Sequence, residues 1–183
     1  MTSRGKTILL VALAAAVLAA MASSAAAGLV APTSACPGQL NANARPGVQE
    51  RAMRCLVNHA REQRGMAPLR AVPSLARAAD RKSGDILRCD EFSHEACGRE
   101  FTYWMERTGY IRGGCWQAAE NIAWGTGRLG SPRAIFKAWI RSSGHRRNIL
   151  GPFEDIGIGL QVGELEGTSG AHVWTQQFGT RGC

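Results

Sequence analysis

The sequence lacks several patterns that would assign it to a common class of protein. Its 183 residues contain no Cys-x-x-Cys pair, the spacing of most cysteine-based zinc sites, and no Gly-x-Ser-x-Gly motif, which marks many serine hydrolases. No basic run is longer than Arg146-Arg147, so nothing predicts binding to nucleic acid. The longest apolar run, Ile8–Ala22, is shorter than the roughly 20 residues that span a membrane.

The N-terminal segment predicts a secretory signal peptide. Two basic residues precede the apolar run, and the small residues Ala25-Ala26-Ala27 provide a cleavage site. We therefore expect residues 1–27 to be removed, residues 28–47 to form an irregular, exposed leader and residues 48–183 to form one domain. The predicted product is a secreted monomer without a transmembrane span, free or associated with the cell wall.

The charge of the chain narrows the choice of partners. It has 22 basic and 14 acidic residues, a net charge of +8. Loss of the signal peptide leaves 20 basic residues and a net charge of +6. For a secreted protein, this charge favours an anionic cell-wall polymer or a membrane surface over nucleic acid.

All six cysteines follow the predicted cleavage site, and an even number in an oxidising compartment predicts three disulfides. Six cysteines allow 15 connectivities. Local spacing favours Cys36 with Cys55 and Cys89 with Cys97, which leaves Cys115 to pair with Cys183.

Hydrophobic periodicity predicts four helices followed mainly by strands. The helices begin at Val48, extend over Pro73–Arg88 and Arg99–Arg107, and run from an N-cap at Ser131 to Ser143-Gly144. The strands cover Asn121–Trp124, Asp155–Val162 and Ala171–Phe178, the last two forming a hairpin with a solvated connector over Gly163–Gly170. Helices first and strands last indicate an α+β fold with a small antiparallel sheet covered by helices.

Five motifs in order resemble the bacterial branch of the CAP superfamily, also called SCP-like extracellular or cysteine-rich secretory/antigen 5/pathogenesis-related 1 proteins. The motifs are Phe92-Ser-His94, Glu120-Asn-Ile-Ala, Trp139 with Ser143-Gly-His-x-x-Asn-Ile-Leu, Phe153 with Ile156-Gly-Ile-Gly, and Trp174-Thr-Gln-x-Phe-Gly. The resemblance covers about Val48 to Gly179. It implies secretion and an α-β-α sandwich with a central antiparallel sheet.

The resemblance also implies a surface groove lined by two histidines and two acidic residues, where the histidines hold a divalent metal in some members. His94 and His145 match the two histidines, and Glu120 matches the first acid. The second acid is missing, because Trp139-Ile-Arg-Ser stands where many eukaryotic members have Trp-Tyr-x-Glu. A mechanism that needs two carboxylates is therefore disfavoured.

The chemistry of these residues leaves three roles open. Two imidazoles and a carboxylate suit Zn²⁺, which makes His94 and His145 candidate metal ligands. Glu120 could instead accept an imidazole N–H and fix the tautomer of a histidine. It could also serve only the fold, by accepting backbone N–H bonds while asparagines cap turns. The remaining groove candidates are Asn121, Trp116 and Trp124, which lie in or beside the Glu-Asn-Ile motif.

Three functions are consistent with these residues. The leading hypothesis is a non-catalytic extracellular module whose groove binds a small apolar or cell-envelope ligand, such as a lipid, with Zn²⁺ as the candidate cofactor. The first alternative is a metal-assisted hydrolase of peptide or cell-wall bonds, with Glu120 as general base. The second is a structural domain for protein contacts in the envelope.

Overall fold

A four-stranded sheet separates two layers of helices in the computed structural model, which describes residues 28–182. The strands are β1 (Arg70–Ala71), β2 (Trp116–Thr126), β3 (Asp155–Leu165) and β4 (Thr168–Arg181), in the order β1-β3-β4-β2. The β3–β4 and β4–β2 pairs are antiparallel, as predicted, whereas the two-residue β1 runs parallel to β3. The α+β class is confirmed, with a mixed sheet. The predicted signal peptide lies outside the described residues.

The helices are α1 (Pro46–Glu62), α2 (Pro73–Arg88), α3 (Tyr103–Arg107), α4 (Pro132–Arg141) and α5 (Ser143–Ile149). Two short 3-10 turns cover Ala96–Gly98 and Gly127–Gly130. The four predicted helices are confirmed, although α3 is shorter than expected. The helix α5 was not predicted. The extended Ser142 (φ −78°, ψ 124°) ends α4, so that Ser143-Gly144 begins a new helix where we expected a loop.

One face of the sheet packs against α1, α4 and α5 through a large apolar core. Its bulkiest fully buried side chains are Trp139, Trp174, Phe136 and Phe178. Helix α4 begins as predicted, with Pro132 in its first turn and the Ser131 hydroxyl accepting the Ala134 N–H at 3.4 Å. Residues at helical spacing on α4 therefore point into this core.

The opposite face packs against α2 at backbone distance. A Cβ atom on Gly157 would lie 2.2 Å from the Leu75 carbonyl carbon, and one on Gly159 would lie 2.3 Å from the Asp80 amide nitrogen. The Ile-Gly-Ile-Gly segment therefore places isoleucines in the apolar core and glycines beneath α2. Glycine is required here because any side chain would occupy the volume of the helix backbone.

The β3–β4 connection is tighter than predicted. Both strands extend into the expected Gly163–Gly170 loop, and only Glu166 and Gly167 connect them. Both connecting residues have positive φ, 50° and 73°, as a two-residue hairpin turn of the twist-compatible type requires.

The segment before α1 is irregular and exposed over most of its length, but a few of its side chains are buried. Leu29, Ala31 and Cys36 are buried in the apolar core. The predicted disulfides Cys36–Cys55 and Cys89–Cys97 are confirmed, and the first one joins this segment to α1. Cys115 is disulfide-bonded as well; its predicted partner, Cys183, lies outside the described residues.

Candidate functional site

The site forms where the edge strand β2 meets both helix layers. Because side chains alternate along a strand, Glu120 and Asn121 point to opposite faces of the sheet. Glu120 lies opposite Gln177 of β4 and faces the α2 side, whereas Asn121 lies opposite Gln176 and faces the α4–α5 side. Neighbouring residues of one strand thus organise the polar groups of two helix layers.

A hydrogen-bonded pair, His94 and Glu120, forms the part of the site on the α2 side. His94 Nδ1 lies 2.8 Å from Glu120 Oε1, and the Gln177 amide donates to Glu120 Oε2 at 3.1 Å. The Glu120 side chain is 1% exposed, whereas that of His94 is 52% exposed. A carboxylate acceptor at Nδ1 holds the neutral imidazole as the Nδ1–H tautomer, which leaves the Nε2 lone pair available to a ligand.

On the other side of β2, an asparagine network attaches α5 to the strand. The Asn121 amide donates to the His145 carbonyl at 3.2 Å, and the Asn148 amide donates to Asn121 Oδ1 at 2.8 Å. The Asn148 amide also lies 3.2 Å from the Glu120 carbonyl. These bonds fix the backbone of α5, and hence the position of His145, relative to Glu120.

An apolar groove of about 310 Å³ runs along this edge. The side chains that line it are largely apolar, with His145 and Ser142 as the polar exceptions: Phe92, Ile122, Ala123, Trp124, Ala138, Trp139, Ser142 and His145. The Ile122 carbonyl accepts the Trp139 indole N–H at 3.1 Å, which holds the Trp139 ring against the edge strand.

Burial lowers the pKa of the His145 imidazole below its ordinary value, and a positive charge on the His94 ring, when that ring is protonated, lowers it further. His145 therefore stays neutral at neutral pH and can donate or accept a hydrogen bond at the groove.

The structure brings together most of the residues predicted for the site. His94, Glu120, Asn121 and His145 are joined by the contacts above, and Trp124 lines the groove. Trp116 does not join them. It lies four residues before Glu120, about 13 Å along the strand. There it lines a separate cavity of about 190 Å³ with Tyr110 and Arg181.

Sequence reasoning missed Lys82 and Gln177, both buried beside Glu120. A signal for Lys82 exists, because it falls at i, i+3 and i+7 with Leu75 and Ala78 on the buried stripe of α2. Gln177 likewise sits in a strand whose other inward residues are mostly apolar. A polar residue at a core position was the available clue.

The donors present do not form a three-ligand metal centre. Within residues 28–182, no group of three His, Cys, Asp or Glu side chains is arranged to hold an ion. Glu120 is already the acceptor for His94 and Gln177, so the chain offers two imidazoles where catalytic zinc sites use three protein ligands. The predicted zinc site stays a prediction, and we derive no chemistry through a metal.

The fold and the site define a class: a disulfide-bonded α-β-α domain with a His–Glu pair beside an apolar groove at the sheet edge. The profile of the cysteine-rich secretory protein family, CAP, matches residues 55–178. The chain belongs to this family, which confirms the resemblance found in its motifs. It is 34% identical over 124 residues to the uncharacterized protein YkwD of Bacillus subtilis strain 168.

Solved structures of bacterial proteins share the fold. An extracellular protein with an SCP domain from Bacillus anthracis aligns with 75% of this chain at a TM-score of 0.60 and 24% identity. An outer surface protein of Borrelia burgdorferi aligns with 71% of the chain at 0.58 and 15% identity, covering 90% of that protein. The matched region of this chain, 67% of its length, spans 44% of YkwD, and the alignment spans 41% of the B. anthracis protein.

Proposed function

We propose that this protein is an extracellular binding module whose groove holds a small apolar ligand of the cell envelope, such as a lipid. The observation that carries the proposal is the groove of about 310 Å³, lined by aromatic and aliphatic side chains with His145 among them. Ligand sites typically combine such an apolar lining with a few polar groups that orient the ligand. The described residues include no helix long and apolar enough to cross a bilayer.

The two histidines favour a ligand whose polar end carries a hydroxyl group. His94 offers Nε2 as a hydrogen-bond acceptor because Glu120 engages its Nδ1–H. His145, kept neutral chiefly by burial, can donate one hydrogen bond. A hydroxyl group can donate to the first ring and accept from the second, while the apolar part of the ligand lies against Trp124 and Phe92.

An extracellular location is supported by two observations. Disulfides persist in oxidising compartments, and two disulfides join described residues of this chain. Structural relatives are described as extracellular and as outer surface proteins. The predicted secretion of the chain is consistent with both.

The hydrolase alternative is less well supported because Glu120 is poorly placed as a general base. Its side chain is 1% exposed, and both carboxylate oxygens already accept hydrogen bonds, from His94 and Gln177. A general base must reach the proton of an attacking water. The arrangement suits a group that orients His94 better than one that takes a proton from water.

Fluorescence titration with a pyrene-labelled long-chain alcohol tests the proposal. We expect saturable binding to the oxidised chain from Gly28 to Cys183, and Trp124→Ala should weaken it by about tenfold, because loss of one aromatic contact removes about 1.4 kcal/mol. Trp116→Ala is the matched control, since it removes the same ring from the separate cavity. Equal affinity of both variants, or no binding by the parent chain, would refute the proposal.

A further inference from the structure

Lys82 is a buried cation with few direct partners. It is 2% exposed, and its ammonium donates to the His94 carbonyl. Arg61, the other deeply buried cation among the described residues, provides a contrast. Its guanidinium donates to four backbone carbonyls, those of Ala67, Ile149, Gly151 and Phe153. Arg61 thus makes four bonds that hold the fold together, whereas Lys82 is bonded to the backbone of a site residue.

The surroundings of Lys82 are acidic. Burial lowers the pKa of its ammonium, and the negative charges around it oppose this effect, with Glu120 the strongest and Asp85, Glu91 and Glu95 weaker. A buried ammonium is costly unless it is compensated by an opposite charge or by hydrogen bonds. Glu120, itself buried, is the carboxylate that chiefly compensates Lys82.

Gln177 completes the same buried group. Its amide nitrogen faces two acceptors, Glu120 Oε2 and the Phe101 carbonyl, so the amide cannot be rotated without placing oxygen against oxygen. Glu120 therefore receives an N–H bond from Gln177 at one oxygen and from His94 at the other. The carboxylate is held in one orientation, with the charge of Lys82 nearby.

We propose that Lys82 is a positioning residue for His94. Its ammonium holds the His94 carbonyl, and its charge keeps Glu120 as the acceptor for the His94 Nδ1–H, so that Nε2 remains available to a ligand. His94 lies on a half-exposed loop, and these two contacts, one to its backbone and one to its ring, fix it against the sheet. This inference rests on the proposed function of the groove but can be tested without a ligand.

If Lys82 only stabilised the fold, its replacement would leave the tautomer of His94 unchanged. Removing one member of a pair of buried charges leaves the other uncompensated and destabilises the fold. We therefore expect Lys82→Met to be less stable than the parent chain, and its NMR spectra are recorded where urea denaturation shows that it is still folded. The substitution removes both the bond to the His94 carbonyl and the charge beside Glu120. Lys137→Met is the matched control, because Lys137 is an exposed lysine on α4.

The test determines which ring nitrogen of His94 carries the proton, by long-range ¹H–¹⁵N NMR at a pH where histidine is neutral. The parent chain and Lys137→Met should show the Nδ1–H tautomer, whereas Lys82→Met should shift His94 toward a mixture of tautomers. Affinity for the pyrene-labelled alcohol should fall about tenfold in Lys82→Met, as when an orienting partner of a histidine ligand is removed. An unchanged tautomer in Lys82→Met would overturn the inference.

Failure of this inference and failure of the proposed function are distinguishable. If the parent chain binds no alcohol but Lys82→Met changes the tautomer, the groove proposal fails and the role of Lys82 stands. If Lys82→Met does not fold, the test uses the parent chain with ¹⁵N-labelled lysine instead of this variant. A charged Lys82 ammonium with nuclear Overhauser contacts to residue 94 is expected, and their absence would overturn the inference.

Discussion

The two faces of the sheet are packed by different means. On the α1–α4–α5 face, large apolar side chains such as Trp174 and Phe178 fill the space between the layers. On the α2 face, the helix backbone lies directly against Gly157 and Gly159, and polar groups such as Lys82 and Glu120 are buried beside apolar ones. The apolar face therefore supplies most of the hydrophobic stabilisation, while the α2 face holds the buried polar groups that orient the site.

The largest expected effect comes from adding a side chain at a glycine that lies against the backbone of α2. The added Cβ of Gly159→Ala would lie 2.3 Å from the Asp80 amide nitrogen, a backbone atom that moves only if α2 moves. We expect a loss of more than about 4 kcal/mol in the free energy of unfolding, or failure to fold, measured by urea denaturation.

Gly84→Ala is its matched control. Gly84 lies within α2 itself, and an added methyl group there meets no atom within 4 Å. Because alanine favours a helix interior over glycine, this variant should be more stable than the parent by about 0.5–1 kcal/mol. Equal destabilisation by both substitutions would contradict the backbone-contact account of the α2 face.

A smaller loss is expected on the apolar face. Phe178→Ala removes a fully buried ring that packs against Phe153, with ring centroids 5.7 Å apart. The expected cost is about 3–4 kcal/mol in the free energy of unfolding, from lost burial and the cavity left behind. The affinity of the groove for the alcohol probe should change less than twofold, by roughly 0.4 kcal/mol at most, because Phe178 does not line it. A cost below about 1 kcal/mol would show that this core readily collapses around the gap.

The smallest expected effect concerns Glu50 of α1, whose pKa is influenced by the charge of Asp80 on α2. Burial first, and then the charge of Asp80, raise the pKa of Glu50 above its ordinary value of 4.5. The folded state thus favours the protonated form, and ionised Glu50 destabilises the protein at neutral pH. Glu50→Gln should raise the free energy of unfolding at pH 7 by less than about 1 kcal/mol.

The pH dependence gives the sign of that effect. The gain from Glu50→Gln should shrink as the pH falls through the raised pKa and vanish well below 4.5, where the carboxyl is protonated in both states. Urea unfolding of both proteins from neutral to acidic pH measures it. A gain that grows on acidification would contradict the account.

Periodicity predicted the long elements and failed for the short ones. The core dictates which residues are apolar in α1, α2 and α4 and which residues alternate in β3 and β4. The sequence pattern therefore predicts these elements. β1 has only two residues, and α5 begins with Ser-Gly, a pair with low helix propensity. Their positions are decided by tertiary contacts, such as the asparagine network that holds α5.

The site was predictable only through the motifs of the family. Separations of 26 residues between His94 and Glu120 and 24 between Asn121 and His145 carry no information about contact by themselves. Closeness in sequence did not place Trp116 in the site, because eight residues of extended strand separate it from Trp124 by about 26 Å. Lys82 was missed because a lysine within a helix is usually assigned to the solvent-facing side.

The most direct test of the central claim is to map where the ligand binds. ¹H–¹⁵N spectra of the parent chain, titrated with a long-chain alcohol, should show shifts concentrated at Ile122–Trp124, at Ala138 and at His145, together with a change at the His94 ring. Shifts confined to the cavity beside Trp116, or scattered without saturation, would contradict the proposal that the edge groove is the binding site.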